Sequence, residues 1–227
     1  MCFSPEADAV MGLVIGAIGV DALRHVREPS QLPLASLPVV LAAHQLIEVF
    51  VWSGLDGSVA PSVGRAAVYA YLLVAFAVPL LIPPAVAAME PDDRRRHLIE
   101  GLAMVGALVS LVLIVGVLTG PVTATDGGDH IAYTATVFHG IALTVVYTAV
   151  IHGCLLASSH RFIVVYGVLN LVAVTLLGWL TFSGFVSLWC AWAALTSLVI
   201  AVHLRNANPV LGLLRTSVGR RPLRGHH

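Results

Sequence analysis

The chain is expected to be all-α: an integral membrane bundle of seven transmembrane helices, N-terminus outside and C-terminus cytoplasmic. Three observations predict this. Hydrophobic residues make up 58% of the 227 residues and charged residues 11%, whereas a soluble domain carries roughly 25% charged residues; the mean hydropathy is +0.92. The apolar residues gather into seven stretches of about the 17–25 residues that a bilayer requires. The twelve basic residues, all arginine, fall on alternate connections, so that seven spans place all of them but Arg65 on one side.

The first segment is Ala7–Leu23. It follows Met1-Cys2-Phe3-Ser4-Pro5-Glu6, which carries acid where a signal peptide needs basic residues, so the segment is expected to be retained as a span. Gly12, Gly16 and Gly19 line one face and permit close approach of another helix. The second, Leu34–Ser53, contains Pro38, and the third, Ala66–Met89, contains Pro79, Pro83 and Pro84. Each proline frees a carbonyl, so kinks or unwound turns are expected there. The fourth, Leu98–Thr119, follows Arg94, Arg95 and Arg96. The next connection, Gly120–His130, is rich in Gly, Thr and Asp and reads as solvated turn. The fifth, sixth and seventh segments are Ile131–Ala157, Phe162–Thr181 and Phe185–Leu204. Trp52, Trp179, Trp189 and Trp192 fall toward the outer ends, as an interfacial belt would. The transmembrane domain thus spans 1–204 and a basic cytoplasmic tail 205–227. In the tail an apolar patch, Val210–Leu214, precedes Arg215, Arg220 and Arg221, a pattern suited to the anionic inner leaflet. The bilayer is the expected partner and the cytoplasmic membrane the expected location; a homo-oligomer remains open.

Several functions are excluded. A basic block interleaved with aromatics is missing, which argues against nucleic acid. Cys2, Cys154 and Cys190 are too few for a disulfide framework or a spaced zinc motif. The chain has no lysine, and retinal or any other Schiff-base chemistry needs one. Prolines crowd the first half only, unlike the paired broken helices of an inverted-repeat transporter.

The polar groups that remain suggest where chemistry happens. In the second segment His44, Glu48 and Trp52 are spaced four apart, on one helix face beside Gln45. An ionised carboxylate at that depth costs at least about 2.5–3.5 kcal/mol. Glu48 is therefore expected to be protonated, paired with His44, or facing a water-filled cavity. His139, about two turns into the fifth segment below Tyr133, Thr134 and Thr136, and Cys190 in the seventh are expected at a similar level, with Cys2 at the mouth. Glu48, His44, Gln45, Trp52, His139, Trp189 and Cys190 would line an outward-facing polar cavity for a small ligand, ion or proton. Cys2, Glu48, His139 and Cys190 also form a donor set suited to zinc or copper, and Cys2 and Cys190 could form a disulfide. At the other end His25, His97, His152, His160 and His203 lie near Asp21 and Glu100. Asp21, His152 and His203 could hold zinc there, as in a ceramidase-like membrane hydrolase, although the last segment lacks H-x-x-x-H. A third reading is a noncatalytic redox sensor or assembly partner.

Met1-Cys2-Phe3-Ser4, Gln45-Leu46-Ile47-Glu48 leading to Val51-Trp52, Ser158-Ser159, and Ser187-Leu188-Trp189-Cys190 resemble a family of small bacterial multi-pass membrane proteins. Its members open with MCFS and carry Q-x-x-E-G-x-V-W and S-V-W-C motifs. The family is functionally uncharacterised, so the resemblance implies membrane location and no activity. It draws attention to Cys2, Gln45, Glu48, Trp52, Trp189 and Cys190. Val49 stands where the family has glycine, and His44 lies outside the motif.

Overall fold

The computed structural model describes residues 4–206 except 129, 138 and 181–184, and of 185–187, 190 and 191 the backbone alone. The order is α1 (Pro5–Arg24), a 3-10 turn (Pro29–Gln31), α2 (Leu32–Leu55), α3 (Pro61–Met89) and α4 (Asp93–Thr119). A hairpin of β1 (Val122–Asp126) and β2 (Ile131–Ala135) follows, then α5 (Gly140–Ala157), α6 (Arg161–Leu180), α7 (Phe185–Thr196) and α8 (Leu198–Asn206). Among the described residues, five helical stretches are long and apolar enough to cross a membrane: Pro29–Leu55, Pro61–Met89, Asp93–Thr119, Gly140–Ala157 and Arg161–Leu180.

Local chemistry sets several boundaries. Ser4 caps α1, its hydroxyl accepting from Ala7 N–H at 3.2 Å ahead of Pro5. Asp92 caps α4 by accepting from Arg95 N–H at 2.9 Å, which satisfies a donor that the first helical turn leaves open. No unwound turn interrupts α2 at Pro38 or α3 at Pro79, Pro83 and Pro84, contrary to that part of the expectation. The last segment does break. α7 gives way to α8 at Ser197, whose hydroxyl donates to Ala194 O at 2.5 Å.

The small residues of α1 work as expected. A Cβ on Gly19 would sit 2.8 Å from the backbone nitrogen of Val39, and one on Gly12 2.7 Å from Leu46. α2 and α3 cross where Gly54 faces Gly64, and a Cβ on Gly54 would come within 2.5 Å of the Gly64 Cα. Only glycine allows backbones this close.

The connection after α4 is not simply solvated turn, and α5 begins at Gly140, not Ile131. Val122–Asp126 pairs antiparallel with Ile131–Ala135, Val122 opposite Ala135 and Asp126 opposite Ile131. β-branched residues and Tyr133 favour the strands. The turn closes where Asp126 Oδ1 accepts from Gly128 N–H at 2.7 Å, with Gly128 at φ +91°, a conformation that glycine adopts without steric cost. The hairpin lies over one end of the bundle. Its fully buried Ile131 packs with Val51, Trp52, Tyr71, Leu72 and Val117.

The remaining surface is apolar around the middle. Met104 is 73% exposed, Leu108 66% and Leu111 59% on α4, and Ile141 on α5 reaches 79%. Water would not tolerate so broad an exposed apolar surface on a monomer, whereas hydrocarbon does. The protein is a membrane-embedded helical bundle.

Its two ends differ in charge. Asp21 on α1 receives Arg205 Nε at 2.5 Å and an Arg205 terminal nitrogen at 2.8 Å, and His203 stacks on Phe162 at 3.5 Å. Arg95 donates to Ala157 O at 3.0 Å. These contacts gather Arg24, Arg27, Arg94, Arg95, Arg96, Arg161 and Arg205 at one end, and leave Arg65 at the hairpin end.

Candidate functional site

The hairpin end holds a buried polar cluster. Asp8 comes from the first turns of α1, His44, Gln45, Glu48 and Trp52 from α2, Tyr71 from α3 and Tyr133 from β2. Asp8, Gln45, Glu48 and Tyr71 are 0% exposed and His44 is 1% exposed. Glu48 lies seven residues before the end of α2, a depth of about 10 Å at 1.5 Å per residue.

Hydrogen bonds tie the cluster across elements. The Tyr133 hydroxyl donates to Glu48 Oε1 at 3.1 Å. The Trp52 indole N–H donates to Asp8 Oδ2 at 3.0 Å. Three rings stack between the hairpin and the interior. Tyr71 lies 4.4 Å from Tyr133 at 9°, and on its other face 3.9 Å from His44 at 19°. Neither His44 nitrogen has a hydrogen-bond partner among the described residues. Buried polar groups are nearly always paired with protein or ordered water, so this imidazole marks a place for a water or a ligand.

The arrangement departs from the sequence reading in four ways. His44 and Glu48 share a face, but the carboxyl contacts Tyr133 and makes no bond to the imidazole. The cluster is enclosed, not an open outward-facing cavity, because the hairpin covers it. Trp52 is a hydrogen-bonded wall of the cluster and does not close a mouth. His139 is not two turns into a helix. It is the residue before α5, exposed, at φ 52°.

Trp189 occupies a different neighbourhood, edge-on to Tyr147 at 5.7 Å and beside His152 at 6.4 Å. Cys2 lies outside the described residues, as does the side chain of Cys190, so the four-residue metal set and the Cys2–Cys190 disulfide fall outside them too. Among the described residues no three of His, Cys, Asp and Glu group as metal ligands. Cys154 is fully buried, its thiol directed at Ile151 O at 3.1 Å.

Sequence reasoning missed Asp8 and Tyr71 and gave Tyr133 no partner. An acid within two turns of the start of a span, and a tyrosine alternating with Ile131 in a β-rich run, were the available signals.

The arginine end has its own buried carboxylate. Glu90, 3% exposed at the end of α3, accepts from Ser159 N–H at 2.7 Å, Ser158 Oγ at 3.1 Å and Asp92 N–H at 3.3 Å, and also from Ser159 Oγ. Burial pushes this carboxyl up, but the hydrogen bonds from Ser159, Asp92 and Ser158 together hold it below its ordinary value of 4.5. His160 Nε2 meets Met89 O at 2.8 Å. The α3–α4 turn is thereby latched to the α5–α6 turn, which gives Ser158-Ser159 a structural use. With Asp21 held by Arg205, His203 stacked on Phe162 and His152 against Trp189, these three residues are occupied separately.

Fold and cluster define a class: membrane-embedded helical bundles with a carboxyl buried beneath a β-hairpin. Residues 1–211 match the model of a family of unknown function, DUF6629, and the chain belongs to that family. No curated protein and no solved structure matches it.

Proposed function

We propose that the chain is a seven-span protein of the cytoplasmic membrane, N-terminus outside, that takes up a proton or small cation at Glu48 from the outer side. α1 supplies the first span and the broken pair α7–α8 the last. The sidedness of the arginines supports the orientation, since cytoplasmic loops are enriched in basic residues. The hairpin end is then external.

The observation that carries the reading is the contact between Tyr133 on the hairpin and Glu48 in the bundle. It joins a buried carboxyl to an element that can lift without unfolding a helix. Glu48 is 0% exposed, and an ionised carboxylate inside a span costs at least about 2.5–3.5 kcal/mol, which supports a neutral carboxylic acid and hence a closed, proton-loaded form. Opening of the hairpin would expose Glu48 and His44 to outside water, which favours ionisation and exchange. His44, with both nitrogens unpaired among the described residues, is positioned to accept a water or the exchanging group.

The test is proton exchange with the external medium of weakly buffered proteoliposomes, the protein oriented with its hairpin end outward and the external pH followed with a dye. Wild type should release or bind protons on an external pH jump, and Glu48→Gln, correctly folded, should not. Equal responses from the two proteins would overturn the reading.

A further inference from the structure

A groove open to the surface runs between the last turns of α3 and the first turns of α4, at the arginine end and away from the Glu48 cluster. It offers about 410 Å³ of open space and is lined by Pro84, Ala87 and Ala88 on α3 and by Arg96, Glu100 and Ala103 on α4. Space of that size falls in the range of small-ligand sites, about 300–1,000 Å³. The spacing explains the groove. Each set recurs at intervals of three and four, on one face of its helix. Apart from Arg96 and Glu100 the facing side chains are short, so the two helices leave a furrow between them.

The level of the groove follows from its neighbours. Arg96 stands in the first turns of α4, beside the arginines that mark this end. Glu100 is exposed, and Met104, one turn further along the same face, is 73% exposed. Glu100 therefore stands where the apolar belt begins, and a carboxylate facing lipid there is costly unless a cation meets it. It has no ion-pair partner among the described residues. Arg96 pairs with Asp93 instead, and Arg four residues before Glu is the weaker order for a helical pair. Side chains lean toward the helix N-terminus, so Arg96 and Glu100 both reach toward the headgroup layer.

We propose that this groove holds a phospholipid with a zwitterionic, primary-ammonium headgroup, phosphatidylethanolamine, from the leaflet at the arginine end. Arg96 meets the phosphate, Glu100 meets the ammonium, and the glycerol and upper acyl chain lie along the alanine furrow. Arg96 can serve both Asp93 and a phosphate, because a guanidinium carries five N–H donors. Charge selects a zwitterion. Asp93, Arg96 and Glu100 give this rim two negative side chains and one positive, so an anionic lipid would add a third negative charge. Arg95 does not offset this, since it donates to Ala157 O and Ser158 O of the α5–α6 turn, and Arg94 projects from nearly the opposite side of the helix. Hydrogen bonding selects the primary ammonium, whose N–H groups can donate to Glu100 as a trimethylated ammonium cannot. The inference rests on membrane embedding alone. It is independent of proton uptake at Glu48 and of which way the arginine end faces.

The experiment uses the full chain in phosphatidylcholine nanodiscs doped with a trace of phospholipid carrying a diazirine on its acyl chain close to the glycerol. Three probes share that chain and differ in headgroup: ethanolamine, choline and glycerol. Adducts are mapped by peptide mass spectrometry. In wild type the ethanolamine probe should label Ala88 and Ala103 roughly threefold to fivefold more than either other probe, the worth of an ion pair at a surface. Ile141 and Val145 on α5, 79% and 63% exposed, should be labelled alike by all three. Glu100→Gln keeps the shape and removes the charge, so it should erase the preference for ethanolamine over choline. Ala88→Trp fills the furrow with the charges intact and should abolish labelling of Ala103 by the ethanolamine probe. Equal labelling of the groove by the three probes, strongest labelling by the glycerol probe, or an ethanolamine preference unchanged in Glu100→Gln would overturn the proposal. If Ile141 and Val145 also stay unlabelled, membrane embedding falls and the site with it; if they are labelled and the groove is not, the site alone falls.

Discussion

Replacing Tyr133 by phenylalanine removes one hydroxyl and leaves the ring stacked on Tyr71. The lost bond is the 3.1 Å contact to Glu48 Oε1. A hydroxyl bond to a neutral acceptor contributes about 0.5–1.5 kcal/mol, and one to a charged acceptor about 1.5–3 kcal/mol. With a neutral acid as the acceptor, Tyr133→Phe should cost about 1 kcal/mol. The same change in a Glu48→Gln background should also cost about 1 kcal/mol, because an amide oxygen still accepts. In a Glu48→Leu background it should cost about zero, since the acceptor is gone; double-mutant cycles isolate such pairwise terms. Unfolding of the six proteins by denaturing detergent titrated into mild micelles measures these differences. A Tyr133→Phe cost that persists with Glu48→Leu would refute the hairpin–carboxyl bond. A cost near 3 kcal/mol that shrinks with Glu48→Gln would show an ionised carboxylate and refute the proton-loaded form.

Trp52→Phe should destabilise by about 1–3 kcal/mol in the same titration, because it withdraws the indole donor from Asp8 inside a buried cluster. Gly54→Ala should cost about 1–3 kcal/mol by forcing α2 from α3, whereas Gly101→Ala, with nothing within 4 Å of the added Cβ, should be neutral or stabilise by up to about 1 kcal/mol. Glu90→Gln should destabilise at neutral pH by about 1.5–3 kcal/mol, the range for hydrogen bonds to a charged group. The Glu90 carboxyl is held below 4.5 in the folded protein, so its stabilisation is fully present above that pH and lost as pH falls through the lower folded value. Wild type and Glu90→Gln should therefore converge in acid, as melting curves across pH will record. A reporter fused after His227 should lie in the cytoplasm and one inserted near Gly127 outside; external labelling of the tail would overturn the orientation.

Helices long enough to span were legible because a 20-residue apolar run is a strong signal that few competing structures share. The glycine face of α1 was legible for the same reason, since spacing alone places Gly12 and Gly19 together. The hairpin was not. Five-residue strands carry little periodicity, and Ile131–Ala135 runs directly into apolar sequence that reads as more helix. Misplacing that boundary carried His139 into a helix and hid Tyr133 as a partner for Glu48. The face carrying His44, Glu48 and Trp52 was correct, but their partners Asp8, Tyr71 and Tyr133 come from three other elements, and only tertiary packing joins them. The break at Ser197 leaves hardly a trace either, because no Gly or Pro marks it.

The central claim is a neutral Glu48 carboxyl held under the hairpin and able to exchange its proton. Infrared difference spectroscopy of the protein in nanodiscs, taken across a pH titration, tests it most directly. The account predicts a carboxylic-acid carbonyl band that vanishes in Glu48→Gln, shifts in Tyr133→Phe and is lost reversibly as pH rises. A spectrum in which Glu48→Gln removes only carboxylate bands, at every pH where the protein stays folded, would contradict it.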